Sequence, residues 1–475
     1  MSWAVFLGIR HHINLLGTLL GIAICAGCAT QPKYGDATNL YATGNYTESI
    51  AALETDGRTD RDDEKLLLVD LACGAAYHAA GQVESALNAY ETAEETMAKQ
   101  QEAFASGLTG AYVGEDYDAI MLNTYKGLLR CEQGNTDGAN IEFKRAKDRQ
   151  EEATSAYERR KEQAEEELAR ARTDVTKKAA MAIVDSVMDC SEMKEACDGL
   201  LERMEHWSDY PAFVNPFAWY MEGILRLFSG DYDEGSRAFE YVRNIEVTKP
   251  VRLNCALADR LADGKVSPKV LPHLVWIIFE NGLGPDKTEF RFDTIIPIND
   301  APVHLGIALP ELVERSEAYP SLILRDESGV ELGRTETICN MDQVVATEFR
   351  KDFPLLLSKE VASTVLHVVL QALATQAAKA QWGEKAGMLA GMAGSALSEA
   401  TTSADTRIWT CLPKNIQGAL VRHPPNGILR FCVPGGMAPI GEVQLTQPGP
   451  TLVYVKVPAP GVPPICRVLI PHEGD

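Results

Sequence analysis

Tyr77-His78-Ala79-Ala80-Gly81-Gln82-Val83-Glu84-Ser85-Ala86-Leu87, running on to Tyr90 and Ala93, decides the fold of the first half of this chain. An apolar helical pattern ends at a glycine, the residue that most readily takes the left-handed conformation closing a helix. A short polar turn follows, then a second amphipathic pattern. Ala86, five positions after the glycine, is small enough to let two helices approach. Tyr90, four positions later, is large enough to fill the groove between them. The same order recurs in Leu40-Tyr41-Ala42-Thr43-Gly44-Asn45-Tyr46-Thr47-Glu48-Ser49-Ile50. It returns in Leu129-Arg130-Cys131-Glu132-Gln133-Gly134-Asn135-Thr136-Asp137-Gly138-Ala139, continuing to Phe143 and Ala146. A fourth copy has Trp219-Tyr220 and Gly223, then Phe228-Ser229-Gly230-Asp231-Tyr232-Asp233-Glu234-Gly235, continuing to Phe239.

These helix-turn-helix units resemble tetratricopeptide repeats. The second copy also carries Leu71, Gly74 and Tyr77 at the spacing of that repeat's first helix. The turn glycines 44, 81, 134 and 230 are unevenly spaced, so the array is broken by insertions. A generic helical-hairpin domain is the alternative reading. In the widest gap, residues 143–178 are almost wholly helix-forming, with both charge signs at i,i+4 spacing. That segment is either a solvated arm or a helix packed by a narrow alanine stripe.

Composition changes at Lys265-Val266-Ser267-Pro268. Beyond it, Val275-Trp276-Ile277-Ile278-Phe279-Glu280 reads as a buried strand and Thr288-Glu289-Phe290-Arg291-Phe292-Asp293 as a half-exposed one. Further strands are expected at residues 304–309, 321–325, 330–335, 407–411, 418–422, 429–433 and 452–457. Asp342 is expected to cap a helix that Pro354 breaks or kinks before a second run reaching about Trp382. Gly383, Gly387 and Gly391 then fall on one helical face, the small-xxx-small spacing of close helix packing. The expected fold is α+β multidomain. A signal peptide spans 1–27, an all-α helical-hairpin domain 28–265, and an α+β domain with a helical insert at about 342–400 spans 266–475.

The amino terminus carries chemistry of its own. Arg10, His11 and His12 precede an apolar run over residues 13–24, and Ala26-Gly27-Cys28 follows. This layout is that of a cleavable export signal. With a cysteine directly after two small residues it resembles a bacterial lipoprotein signal, although Cys25 stands where leucine is usual. The resemblance implies acylation of the Cys28 thiol and cleavage before it. Acyl chains at ~0.8 kcal/mol per buried CH₂ would then hold the chain to a membrane. Ala29 and Thr30 follow the cysteine, and the absence of aspartate there points to the outer membrane. An ordinary secretory signal and an uncleaved anchor remain as alternatives, the latter disfavoured because the run is shorter than the ~20 residues of a span.

Of 475 residues, 67 are acidic and 45 basic, a formal charge of -22. Loss of Arg10 with the signal takes this to -22 − 1 = -23. Such acidity argues against nucleic acid as a partner. After removal of Cys25 and acylation of Cys28, nine of the 11 cysteines remain, so at least one lacks an intramolecular partner. In the mature chain no Cys-x-x-Cys or His-x-x-x-His spacing marks a zinc site. Ala393-Gly394-Ser395-Ala396-Leu397 lacks the second glycine of a nucleophile elbow, and no phosphate-binding loop is present. Asp405, Arg407 and Trp409 alternate and are expected to share a strand face, with the first two paired. No cofactor is implied.

Several ordered strings carry a wider resemblance. They include Asn123-Thr124-Tyr125-Lys126-Gly127-Leu128, Phe279-Glu280-Asn281-Gly282-Leu283-Gly284-Pro285, Met341-Asp342-Gln343-Val344-Val345-Ala346-Thr347-Glu348-Phe349 and Ala404-Asp405-Thr406-Arg407-Ile408-Trp409-Thr410-Cys411-Leu412-Pro413. Together they resemble a family of uncharacterised bacterial envelope lipoproteins with tetratricopeptide-like repeats. The resemblance covers about residues 30–430 and supplies no reaction. The expectation is therefore a non-enzymatic, lipid-anchored periplasmic adaptor that holds an envelope protein or peptide in its helical-repeat groove. An envelope hydrolase, or an oligomeric assembly component acting through the second domain, is the alternative.

Overall fold

The computed structural model describes residues 32–59, 66–105, 112–174, 177–298, 301–382, 403–436, 438–445 and 449–470. Among the described residues eleven helices precede the first strand: α1 (Pro32–Ala42), α2 (Tyr46–Thr59), α3 (Leu66–Ala79), α4 (Val83–Ala105), α5 (Asp116–Glu132), α6 (Thr136–Thr173), α7 (Lys178–Asp189), α8 (Ser191–Glu202), α9 (Pro216–Ser229), α10 (Tyr232–Arg243) and α11 (Lys249–Ala262). The four repeated strings are the turns of α1–α2, α3–α4, α5–α6 and α9–α10. Gly44, Gly81, Gly134 and Gly230 all hold positive φ there.

One packing rule builds three of these hairpins. Gly74 lies so close to the Tyr90 ring that a Cβ would sit 2.4 Å from it. Gly127 meets Phe143 at 2.8 Å and Gly223 meets Phe239 at 2.7 Å in the same way. In each pair the aromatic stands at the same sequence distance from the glycine, across the same turn. The first hairpin uses smaller partners: Ala37 replaces the glycine, and Ser49 Oγ donates to the Ala37 carbonyl at 2.7 Å. The aromatic ring and the absent side chain are thus one device, which lets the helix axes approach.

The charged segment 143–178 continues the second helix of the third hairpin, so α6 begins at Thr136 and runs unbroken to Thr173. It does not stand free. Ala146, Ala153 and Ala164 are buried along one stripe. Gln150 Oε1 accepts from Asn215 N at 2.8 Å, and Tyr157 Oη donates to the Lys351 carbonyl at 3.2 Å. Of the two readings of this segment, the alanine stripe is the one observed.

After a 3₁₀ turn (Pro268–His273) come β1 (Leu274–Asn281), β2 (Asp286–Ile298), β3 (Ala301–Val313), β4 (Ile323–Asp326), β5 (Glu331–Arg334) and β6 (Glu336–Asn340). Helix α12 (Met341–Trp382) follows, then β7 (Asn415–Arg422), β8 (Ile428–Cys432), β9 (Pro439–Gln444), β10 (Thr451–Val457) and β11 (Ile465–Ile470). A five-stranded sheet runs β11-β10-β1-β7-β6, with β1 and β10 parallel and the other neighbours antiparallel. A four-stranded antiparallel sheet runs β5-β4-β8-β9. Strands β2 and β3 form a separate long hairpin that packs on α12 through Phe292, Leu305, Ile307 and Leu309.

Three expectations are corrected. Residues 407–411 form no strand; they are an irregular loop with Trp409 buried. Asn340, not Asp342, caps α12, its Oδ1 accepting from Gln343 N at 3.2 Å. Of the break or kink expected at Pro354, the break does not occur: the helix passes through it, and Phe349, Phe353 and Leu357 keep one buried face across the missing hydrogen bond. The glycine-rich stretch 383–397 lies outside the described residues, as does the signal segment.

The two faces of the five-stranded sheet have different partners. Val275, Ile277, Phe279, Val453, Val455 and Val457 point to the four-stranded sheet and share a core with Leu324, Leu429 and Phe431. The alternate residues Trp276, Ile278, Leu452 and Tyr454 join the core of the helical array. The compositional boundary near Lys265–Pro268 is therefore a change of secondary structure and not a break in the core. A fragment ending at residue 268 should expose the array's sheet-facing surface and lose cooperative melting by circular dichroism. Gly127→Ala should drive a methyl into Phe143 and cost ~1–3 kcal/mol in chemical denaturation, and adding Phe143→Leu should recover part of it.

Candidate functional site

Two buried polar clusters stand out, and both sit where elements distant in sequence meet. The first lies between the helical array and the sheet. Strands β1 and β10 place Glu280 directly beside Lys456, and the pair closes at 2.9 Å with both side chains buried. The first helices of the hairpins converge on this pair. From α5, Tyr125 Oη donates to Glu280 Oε2 at 3.3 Å. From α1, the Tyr41 ring lies 5.3 Å from the Lys456 ammonium. From α3, His78 stacks on Tyr454 with 5.4 Å between ring centres. Tyr90 and Tyr125 stack at 5.9 Å, and Trp409 meets both edge-on at 6.0 and 5.7 Å.

The junction continues on both sides of this pair. Arg467 of β11 donates to the Ala79 carbonyl at 2.9 Å and pairs with Glu132 at 3.3 Å. At the far end, Trp276 Nε1 donates to Asn254 Oδ1 at 2.7 Å, and Asn254 Nδ2 donates to Tyr220 Oη at 2.8 Å. Phe228 of α9 meets Trp276 edge-on at 5.0 Å. The face lined by α1, α3, α5 and α9, expected to be a groove for a partner, is covered by the chain's own sheet.

Burial first, and the positive charges of Arg467 and Lys456 second, hold His78 well below its ordinary range, so it stays neutral. Burial also pushes Cys411 up to about 11 and Cys131 up to about 12, which leaves both as unreactive thiols at neutral pH. All nine cysteines among the described residues are free. Cys190 sits at the break between α7 and α8, where its sulfur accepts from Met193 N.

The second cluster gathers Glu115, Glu348 and Asp352, one carboxylate oxygen from each lying within 4.8 Å of the others. Spacing of this kind suits a hard divalent cation. Glu348 and Glu115 are already engaged, whereas Asp352 Oδ1 has no hydrogen-bond partner among the described residues. Glu348 accepts from the backbone N–H groups of Asp116 and Tyr117 at 2.7 and 3.2 Å, so α12 supplies a carboxyl acceptor at the first turn of α5. Lys287 of β2 pairs with Glu115 at 2.8 Å. Arg160 of α6 pairs with Asp116 at 3.0 Å and lies 3.9 Å from Asp352. The geometry is that of an interlock joining α5, α6, α12 and β2.

The residues singled out in the sequence are dispersed. Asp405 and Arg407 do pair, at 2.8 Å, as a loop-stabilising contact. His206 and His304 face Glu314 and Asp293 at 3.1 and 3.2 Å, far apart in the chain and in different contacts. Cys28 lies outside the described residues. Sequence reading missed both clusters, because Glu280 and Lys456 meet only across the β1–β10 register and Glu348 meets α5 only through the tertiary fold. The one local hint was an ionisable residue ending an otherwise apolar strand at Glu280. The chain matches no protein-family model, no curated protein and no solved structure.

The interlock carries a pH signature. Burial raises Asp352 to about 6, and the nearby Glu115 and Asp116 add to it against the pull of Arg160. Burial likewise raises Asp118 to about 7, Asp342 to about 6 and Asp70 to about 6. A raised carboxyl stabilises the fold fully below its unfolded value and loses that contribution as pH rises through the folded one. Glu94 runs the other way. It is half-buried, but Lys126 and Arg149 hold it at about 2, so its contribution is lost only as pH falls through the acid range. Stability should therefore rise from pH 7.5 to 5 and fall in stronger acid. Asp352→Asn should flatten the rise, by on the order of 1–2 kcal/mol in denaturant titrations at pH 7.5 and 5.

Proposed function

We propose that this protein is a lipid-anchored adaptor of the bacterial envelope, tethered through Cys28 and acting without catalysis of its own. The observation that carries the reading is that both buried polar clusters described above join elements distant in sequence, in a body built on repeated hairpins. The shared glycine–aromatic packing of α3–α4, α5–α6 and α9–α10 supports the tetratricopeptide-like description. The run ending in Ala26-Gly27-Cys28 supports the anchor, and the absence of aspartate after it supports an outer-membrane, periplasm-facing position. Only residues 29–31 separate Cys28 from α1. An acylated cysteine would therefore hold the first hairpin within about 15 Å of the membrane surface.

In this proposal the partner is an envelope protein or peptide, but it does not occupy the inner face of the hairpin array. That face is covered by β1, β10 and β7. The partner surface is assigned instead to the β2–β3 hairpin and the α12 helix beneath it. This long ribbon stands outside both larger sheets, and Ile295 near its end is 68% exposed.

Two measurements on the full chain in cells test this together. Cys28→Ser should move the protein out of the membrane fraction or leave an uncleaved precursor, with loss of acyl labelling. A photo-reactive residue at position 295 should give discrete cross-linked protein products, whereas one at Ile141, exposed on α6, should not. Unchanged fractionation would remove the anchor. Products from position 141 alone would move the partner surface to the helical array.

A further inference from the structure

The core around Glu280 contains more hydrogen-bonding groups than its described neighbours satisfy. Tyr41, Tyr90 and Tyr454 are each at most 1% exposed, and Glu280 is fully buried. The hydroxyls of all three tyrosines, and Glu280 Oε1, have no hydrogen-bond partner among the described residues. Glu280 Oε2 is fully used by Lys456 and Tyr125, at 2.9 and 3.3 Å. The orphaned atoms belong to one neighbourhood. Tyr41 lies under the Lys456 ammonium, Tyr90 is stacked on Tyr125, and Tyr454 precedes Lys456 by two positions on the same strand face. Burial first holds the Tyr41, Tyr90 and Tyr454 hydroxyls protonated well above their ordinary range; the neighbouring phenols and the Cys411 thiol add to it at Tyr41 and Tyr90, and the Glu280 carboxylate, beside which the Tyr454 hydroxyl lies, adds most after burial at Tyr454.

Trp409 Nε1, edge-on to Tyr90 and Tyr125, and His78 Nε2, stacked on Tyr454, are left over in the same neighbourhood, so donors outnumber acceptors there. Leaving a buried polar atom unpaired costs about 1–3 kcal/mol. Several such atoms in one place are a cost the fold would not carry when a guest can meet it. That guest must both accept and donate, must be small enough to enter a close-packed core, and must be uncharged because Lys456 and Glu280 already neutralise each other. Water meets all three requirements, and buried waters typically make ~3 hydrogen bonds to groups of this kind.

We propose that the junction between the helical array and the sheet is a built internal hydration site, in which ordered water links the hydroxyls of Tyr41, Tyr90 and Tyr454 to Glu280 Oε1. The water donates to the carboxylate and accepts from the phenols. The two halves of the molecule are then joined through a polar, solvated centre ringed by aromatic side chains, and not by apolar contact alone.

The test uses the sign of a stability change. Tyr90→Phe and Tyr41→Phe remove one oxygen each and keep the ring, so the fold is retained. If water bridges the hydroxyls, each variant strands that water's hydrogen bond and lowers the melting midpoint by ~1 °C or more. If the hydroxyls are dry, each variant removes an unpaired polar atom and the midpoint stays level or rises, which overturns the proposal. A crystal structure at better than ~1.8 Å resolution gives the independent reading. A density peak within hydrogen-bond distance of Glu280 Oε1 and at least one of the three hydroxyls is expected. A junction with no such peak overturns the proposal whatever the variants do.

Discussion

The parallel pairing of β1 with β10 is the constraint on which the rest of this structure depends. These two strands sit in the middle of the five-stranded sheet and are buried on both faces. Their odd-numbered residues meet a second sheet, and their even-numbered residues meet a helical array. A strand pair with no solvent-facing side has to satisfy two neighbours at once, and a one-residue slip would exchange the two surfaces. Here the exchange would be costly in a specific way. It would turn Glu280 and Lys456 out of the aromatic junction and into the aliphatic core of the sandwich. The buried ion pair adds little net stability when set against an apolar pair of the same volume. What it does is make the correct register far better than the next one.

The helical half shows the complementary economy. Its hairpins are held by a void filled by a ring, glycine against tyrosine or phenylalanine, and this leaves the outer surfaces free to carry charge. Helix α6 illustrates the outcome. Its surface is dense with Glu, Lys and Arg, yet a few alanines and the Gln150 and Tyr157 contacts pin it to the body. At its foot, Glu348 reaches from α12 to the start of α5, and Lys287 and Arg160 balance the carboxylates gathered there. Burial, with like charges beside it, raises the Asp352 carboxyl in that cluster to about 6.

Much of this was legible from the sequence, and the reasons differ by element. The hairpin turns could be placed because a glycine, a small residue and an aromatic recur in fixed order, and all of that information is local. Strand β1 could be read because six residues in a row are apolar or aromatic before Glu280. Strands β6, β9 and β11 were not legible. The first two are short, and β11 follows a proline-rich turn. The stretch 407–411 has the alternation of a strand but no neighbour to pair with, and tertiary packing made it a loop around Trp409. The polar clusters were illegible for a stricter reason. Glu280 and Lys456 acquire meaning only from a register between strands at opposite ends of the second half, and no periodicity in either segment reports it. The wholesale covering of the hairpins' inner face by the sheet belongs to the same class of fact.

The place of β10 in the chain has a consequence for how the molecule comes into being. Trp276 and Leu452 are partners in the central ladder, yet almost the entire second half of the chain lies between them. During synthesis the helical hairpins can form as they appear, since their contacts are local. Their inner face stays bare until the last strands arrive. Long-range parallel pairing is slow because the loop must close before any contact compensates for it. The nascent protein therefore passes through a stage in which a finished helical array displays Tyr41, Tyr125 and Tyr220 to whatever is nearby. The carboxy-terminal strands act as the intramolecular cover that ends that stage.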